Sequence, residues 1–548
     1  MACHDSEIPG KLAWAAVWPS SQPRQGTTPL HSTPIWLVII LLLALLTPCA
    51  RAVMVSPEDV SNEAQKHANR GLELAQAGDL KGAEAELRQA VELTPDDPAY
   101  LADLGGILGM QQKLEEAGVY FEKALRSDPD NLTVRRDLAA NQWQLGRLPE
   151  ARSNLQRILK SKPSDRPSIL LLGMVSENLK DYTEAAKLLG SMPELVKQRP
   201  ESIAALARAY YQTHQERKAR EVLEDLLTNG PAPQGVFLGG EVASQAGDSE
   251  TALRLFGSIR SSYSDPTDLA YNMALAEYRG GHFKEAENIL TELTRSGHQT
   301  SEGYDLLGWC FYKQGEYRES VRAMDHAIDL EPTRELNYLD LGQMLIEQSR
   351  LILARTVATK ALERIPDSSR LYMMKGMIEV KQGDYTDAVT SYSRAVALDR
   401  TSPEANSNLA KVQWLDGMSK EAEATFESGI KRFPEDAPTY LEYAVTLLKD
   451  AENGDTTKEA RAVSLLEQAC ALDESYSEPH YELGNLWLRK GKISEALQEL
   501  QAAARLNPKD EKTHFALSRA YRHLGRSQEA AAELAAYEKW KSKGMKAE

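Results

Sequence analysis

One period dominates this chain: a pattern of a large apolar residue, two residues, then Leu-Gly or its equivalent returns about every 34 residues, in YLADLGG, YDLLGWC, YLDLGQM, YMMKGMI and YELGNLW. Units beginning at Ala64, Pro98, Leu132, Arg166, Pro200, Pro233, Thr267, Ser301, Glu335, Ser369, Pro403, Ala437, Ser477 and Glu511 follow one another in steps of 34, apart from one of 33 and one of 40. A period of this length marks a repeated supersecondary unit, because each unit needs its neighbours to bury its apolar face. Within it the eighth position is always Gly, Ala or Ser, and the twentieth is Ala in thirteen of fourteen units, with Ser320 as the exception. Small residues at two fixed places are what a close crossing of two antiparallel helices demands. Large residues recur at position 24, among them Phe121, Leu155, Phe256, Phe426 and Leu500, and are expected to fill the gap toward the next unit. Proline at position 32, from Pro95 to Pro508 and including Pro231, stops the second helix. Glycine in the mid-unit turns, such as Gly315 and Gly383, supplies a left-handed cap.

These residues resemble the tetratricopeptide repeat family. Tyr304, Leu307, Gly308, Phe311, Tyr317, Ser320, Met324, Ala327 and Pro332 follow the family pattern through almost a whole unit. The resemblance implies an all-α fold, a right-handed α-α superhelix (solenoid) of about fourteen helical hairpins over residues 64–541. It would be preceded by a lead-in helix over 53–63 and followed by a tail, 542–548. Repeat four and the stretch from Gly235 to Gly240 depart most from the pattern, so an irregularity is expected there. The step of 40 comes from extra residues at Lys449 to Asp455, which would lengthen the turn inside repeat twelve.

Residues 1–52 read as a leader with a signal peptide. Its apolar core, residues 35–46, is twelve residues long, too short for a helical span of about 20. Pro48 and the triplet Ala50-Arg51-Ala52 follow it, the form of a cleavage region, with cleavage expected after Ala52. The expected location is exported, periplasmic or cell-envelope. The alternative is an uncleaved signal anchor, the one route by which the chain would touch a membrane.

The net charge is -16, and without residues 1–52 there remain 61 basic against 78 acidic side chains, since Lys11, Arg24, Arg51, Asp5 and Glu7 go with the leader. That balance repels phosphate backbones, so nucleic acid is not an expected partner. Cys310 and Cys470 lie several repeats apart, too distant for a bridge. No GxxxxGK[ST], HExxH, CxxC or GxSxG motif is present, and the eight histidines of the body are scattered. Repeats fill nearly all of the chain after the leader, leaving no stretch for a catalytic domain. No enzymatic activity and no cofactor are therefore expected.

Binding remains. In the family the superhelix presents first-helix positions 2, 5, 9, 12 and 13 on its concave face, where extended peptides or partner helices are held. Along repeats eight to thirteen those positions carry Trp309, Tyr312, Leu339, Met373, Met377, Trp414, Leu441, Val445 and Tyr481. An apolar strip of this kind implies a protein or peptide partner, with Trp and Tyr as anchors and Met as an adaptable contact. Positions 12 and 13 also lie near the seam between repeats, so for Ile346, Val380, Leu415 and Leu448 a core role stands equally well. Two devices of the family are missing: the carboxylate clamp, because Tyr481 and Ala516 occupy its places, and the asparagine ladder, because position 6 is Asn only at Asn69, Asn272 and Asn408. The expected role is a non-catalytic scaffold, the alternative a substrate-docking subunit of a separate envelope enzyme such as a glycosyltransferase or protease.

Overall fold

The crossing demanded by small residues at positions 8 and 20 is formed. In the computed structural model, which describes residues 57–228, 232–451 and 455–544, helices pair into fourteen consecutive antiparallel hairpins, and no strand occurs among the described residues. The first helices of twelve units begin at the residue where the period places the unit, from Pro98 to Glu511. The other two begin earlier, at Pro266 and Pro57. Helix Pro57–Gln76 runs unbroken through Ala64, so residues 57–63, expected in a lead-in helix, form the first turns of repeat one. At the other end the last helix, Ser527–Gly544, continues past residue 541. The leader, its apolar core and the cleavage position after Ala52 lie outside the described residues, as does Pro231.

Many first helices share one starting device: an Asp, Asn, Ser or Thr accepts hydrogen bonds from the first free N–H groups, and a proline often follows at N1. Asp97 before Pro98, Asp265 before Pro266 and Ser402 before Pro403 are examples. Between the two helices, position 15 is left-handed in every unit except the twelfth. Glycine takes that conformation without strain, as at Gly315 (φ 78°) and Gly383 (φ 84°), whereas Gln112, Lys180, His214 and Ser349 adopt it with a Cβ present.

Position 20 is buried in every unit, from Ala83 to Ala530. Position 24 does more than expected: besides reaching the next unit, as where Phe426 stacks on Tyr443 of repeat twelve at 4.9 Å, its side chain lies over position 8 of its own hairpin. A Cβ added to Gly105 would come within 2.9 Å of Phe121, one on Gly376 within 2.8 Å of Tyr392, and one on Gly484 within 2.6 Å of Leu500. The missing side chain at position 8 is the socket for the large one at 24. Repeat nine shows the rule by compensation. Its position 24 is Ala358, and Met374 of repeat ten fills the space over Gly342 instead.

Contacts divide the chain into two units, Met1–Ile289 and Leu290–Glu548. In the first, the second helices of repeats four to six are short. Tyr182–Gly190 and Glu216–Glu224 have nine residues and Ser249–Ser258 has ten, against fourteen in helices such as Leu80–Leu93. Repeat four adds the one-turn helix Pro193–Val196 and repeat five a 3-10 turn, Asp225–Leu227, so the irregularity takes the form of clipped helices. Leu189, Leu223, Leu226, Phe256 and Ile259 nevertheless join one buried cluster. In the second unit, the inserted residues of repeat twelve are shared between elements. Helix Ala437–Asp450 gains a residue, the turn lengthens, and Thr456–Leu472 reaches 17 residues by starting earlier. The insertion is thus only partly a longer turn.

Candidate interaction surface

In the second unit the first helices of repeats eight to thirteen are Ser301–Lys313, Glu335–Glu347, Ser369–Gln382, Pro403–Leu415, Ala437–Asp450 and Ser477–Arg489. Their helical spacing brings positions 5, 9 and 12 to one face. Met377 is the most open of the residues expected there, at 44% exposure. Trp309, Tyr312, Leu339, Met373, Trp414, Val445 and Tyr481 are partly buried, each showing one edge to solvent. Leu441 differs. At 8% exposure it packs with Tyr440, Tyr443 and Leu466 in a core cluster and has little surface to offer a partner. Leu448 and Leu488 are likewise core, whereas Leu415 is exposed.

Position 12 carries a device that sequence reasoning did not anticipate. An aromatic there donates a hydrogen bond to the end of the first helix, or to the turn after it, in the following repeat. Trp143 Nε1 donates to Asn178, Tyr211 to Asp248 at 2.8 Å, Tyr312 to Glu347 at 2.6 Å, and Trp414 Nε1 to Asp450. These rings tie repeat to repeat, and all but the buried Tyr211 stay partly exposed. Burial first, and then the Glu347 hydrogen bond, push the Tyr312 phenol well above its usual value. Burial alone would raise Glu347; the bonds from Tyr312 and Gln343 hold it below the ordinary carboxylate value.

Beside this strip, position 13 supplies exposed cations in four of the six repeats, Lys313, Lys381, Lys449 and Arg489, with Glu347 and Leu415 in repeats nine and eleven. Lys313 lies 5.7 Å from the rings of both Trp309 and Tyr312, and Lys449 lies 5.5 Å from Trp414. In repeats one to six the same position is Gln76, Met110, Gln144, Asn178, Gln212 and Gln245, none of them charged. The row could have been found by reading position 13 down the period, as positions 8 and 20 were. Phe515, at position 5 of repeat fourteen, was also overlooked. It is exposed and shares a cleft of about 300 Å³ with Tyr481, Lys512 and Tyr537.

At position 5 of repeat eight the strip holds a carboxyl group. Asp305 is hydrogen-bonded to Asp340 of the next first helix, and burial first, then the charge of Asp340, lift the Asp305 carboxyl to about 8. Three histidines have structural partners in one register: His67 with Glu86, His480 with Glu499 and His514 with Glu533, at 2.6, 2.7 and 2.6 Å, each joining position 4 to position 23 of its own hairpin. Among the described residues no group of three or more His, Cys, Asp or Glu could hold a metal ion. None of the described helices is long and apolar enough to cross a membrane.

Hairpins with this socket, turn and period define the class. Tetratricopeptide repeat models match residues 69–131, 108–172 and 271–335, and a TPR repeat model matches 376–417. The chain belongs to the tetratricopeptide repeat family. A bacterial transcriptional activator domain model matches 420–543, a stretch built here from the second helix of repeat eleven and the hairpins of repeats twelve to fourteen. Cellulose synthase operon protein C of Pseudomonas fluorescens (strain SBW25) is 23% identical over 371 residues, 64% of this chain and 26% of that protein. Protein O-mannosyl-transferase TMTC1 of Mus musculus is 30% identical over 157 residues, 28% of this chain and 17% of that protein. The chain therefore spans about a quarter or less of the length of these two relatives. Among solved structures, yeast Tom70 aligns with a TM-score of 0.40 at 16% identity, over 87% of this chain and 91% of that one.

Proposed function

We propose that the chain is a non-catalytic scaffold that recruits a protein partner through the first-helix face of repeats eight to thirteen. The partner segment carries apolar side chains for the strip of Trp309, Tyr312, Leu339, Met373, Met377, Trp414, Val445 and Tyr481, and carboxylates for the row of Lys313, Lys381, Lys449 and Arg489. The observation that carries this reading is the coincidence of an apolar strip and an exposed cationic row on one face of a chain whose net charge is -16. Apolar burial supplies affinity, and opposite charge steers the encounter and sets register. Export, with removal of the leader after Ala52, completes the proposal and rests on the apolar run and small-residue triplet of residues 35–52. The likeness to an O-mannosyl-transferase favours a second reading, in which the array docks substrates for an enzyme that is a separate chain.

The test is a photo-crosslinking amino acid placed at Met377 and, as control, at Ile352, an exposed residue of a second helix. A partner trapped from Met377 but not from Ile352, and released by high salt before irradiation, supports the surface. Equal trapping from both positions, or none from Met377, overturns it.

A further inference from the structure

Repeats two and three, in the first unit, leave between them an open cleft of about 340 Å³ whose lining includes Glu122, Arg126, Pro129, Arg135, Asn154 and Arg157. Arg135 reaches it from the first helix of repeat three, Leu132–Gln144, and is only 6% exposed. Its guanidinium donates to Asn154 Oδ1 at 3.2 Å and to the Pro129 carbonyl at 2.5 Å, both neutral acceptors. A guanidinium stays charged at any ordinary pH, and burying it against neutral partners leaves much of its desolvation cost unrecovered. Elsewhere the chain meets that cost with carboxylates: Arg152 pairs with Asp181 and Glu184, and Arg355 with Glu379, Asp384 and Asp387. Here two more arginines are added instead. Burial first and the like charge of Arg157 second push Arg135 below the usual arginine range, with Asp130 pulling the other way.

We propose that this cleft binds an oxyanion group, a phosphate or a carboxylate, held by Arg126, Arg135 and Arg157. The planar fork of a guanidinium donates two parallel hydrogen bonds to such a group, and its two bonds to Asn154 and Pro129 hold the Arg135 fork in place. An anion between the three side chains neutralises the buried charge and relieves the repulsion between Arg135 and Arg157. Glu122, also part of the lining, disfavours large polyanions and suits a single group. None of these residues belongs to the proposed partner surface, so the two readings stand or fall separately.

The test is calorimetric titration of the full chain with inorganic phosphate and, separately, with acetate, against sodium chloride at matched ionic strength, with melting followed in parallel. The comparison variant is Arg126→Ala with Arg157→Ala, both exposed positions whose loss opens no core. Expected is saturable binding of one phosphate or one acetate per chain with a rise in melting temperature, weakened at least tenfold in the double variant. That variant without anion should melt no lower than the parent, because a like charge beside Arg135 has gone. Which of the two anions binds separates phosphate from carboxylate as the natural group. No binding beyond the chloride control, or equal binding by parent and variant, overturns the proposal.

Discussion

At the scale of single residues, positions 8, 20 and 24 decide whether a hairpin closes. Gly376 leaves the socket for Tyr392, and a Cβ there would already be 2.8 Å from the ring. Gly376→Leu, or Ala388→Leu at the buried position 20, should therefore destabilise repeat ten by about 1 to 3 kcal/mol or more. Hydrogen exchange should show the loss confined to repeats nine to eleven, because repeats touch only their neighbours; unchanged protection there would contradict the register. A second residue-scale prediction concerns Asp305, whose carboxyl titrates at about 8 in the folded chain because it is buried beside Asp340. Unfolded, the same group titrates near 4. The folded state therefore holds the extra proton, and the stability it contributes is complete below about pH 4 and lost as pH rises through about 8. Melting temperature followed from pH 5 to 9 should fall less steeply for Asp305→Asn than for the parent; parallel curves would contradict the assignment. The socket was half legible in the sequence. Small residues at 8 and large ones at 24 stood in plain register, yet that the large side chain also closes its own hairpin depended on rotamer direction, which spacing does not encode. The Asp305 pairing was invisible because Asp340 lies in the neighbouring unit.

At the scale of elements, the aromatic ties at position 12 change what truncation should do. Trp414 was expected to be a binding anchor, and its Nε1 also donates to Asp450, which accepts from Lys458 at 2.8 Å. Trp414→Phe keeps an aromatic ring, loses the pyrrole half of the indole and deletes the donor, and should cost at least roughly 1.5 to 3 kcal/mol of stability, the range for a hydrogen bond to a charged group. A double-mutant cycle with Asp450→Asn, read by urea unfolding, should show coupling of at least about 0.5 kcal/mol; additive effects would mean that the tie carries no energy. Helix boundaries were the most legible feature at this scale, since capping residues, N1 prolines and position-32 prolines are all local signals. The clipped second helices of repeats four to six were legible only as a loss of pattern. Their replacement by Pro193–Val196 and Asp225–Leu227 followed from packing into the cluster around Leu189, Leu226 and Phe256.

At the scale of the whole molecule, an acidic chain carries two local concentrations of positive charge, one in each unit. In the second unit Lys313, Lys381, Lys449 and Arg489 accompany the apolar strip; in the first, three arginines converge on the cleft between repeats two and three. The fold class and the strip were readable from the period, and the cationic row was missed only because position 13 was read for its apolar members. Leu441 was misread because its position faces the partner side in an ideal repeat, whereas here it joins the core with Tyr440 and Tyr443. The central claim is that the face of repeats eight to thirteen holds a partner by charge and apolar contact together. Its most direct measurement is the dissociation constant of the partner trapped at Met377 for the parent and for Lys313→Glu, Lys381→Glu and Lys449→Glu combined, at low and high salt, with the melting temperature of each. Such pairs act mainly through encounter rate and salt dependence. The prediction is a loss of affinity of at least tenfold at low salt that shrinks at high salt, with melting unchanged. Affinity unaltered by three charge reversals at low salt would contradict the account.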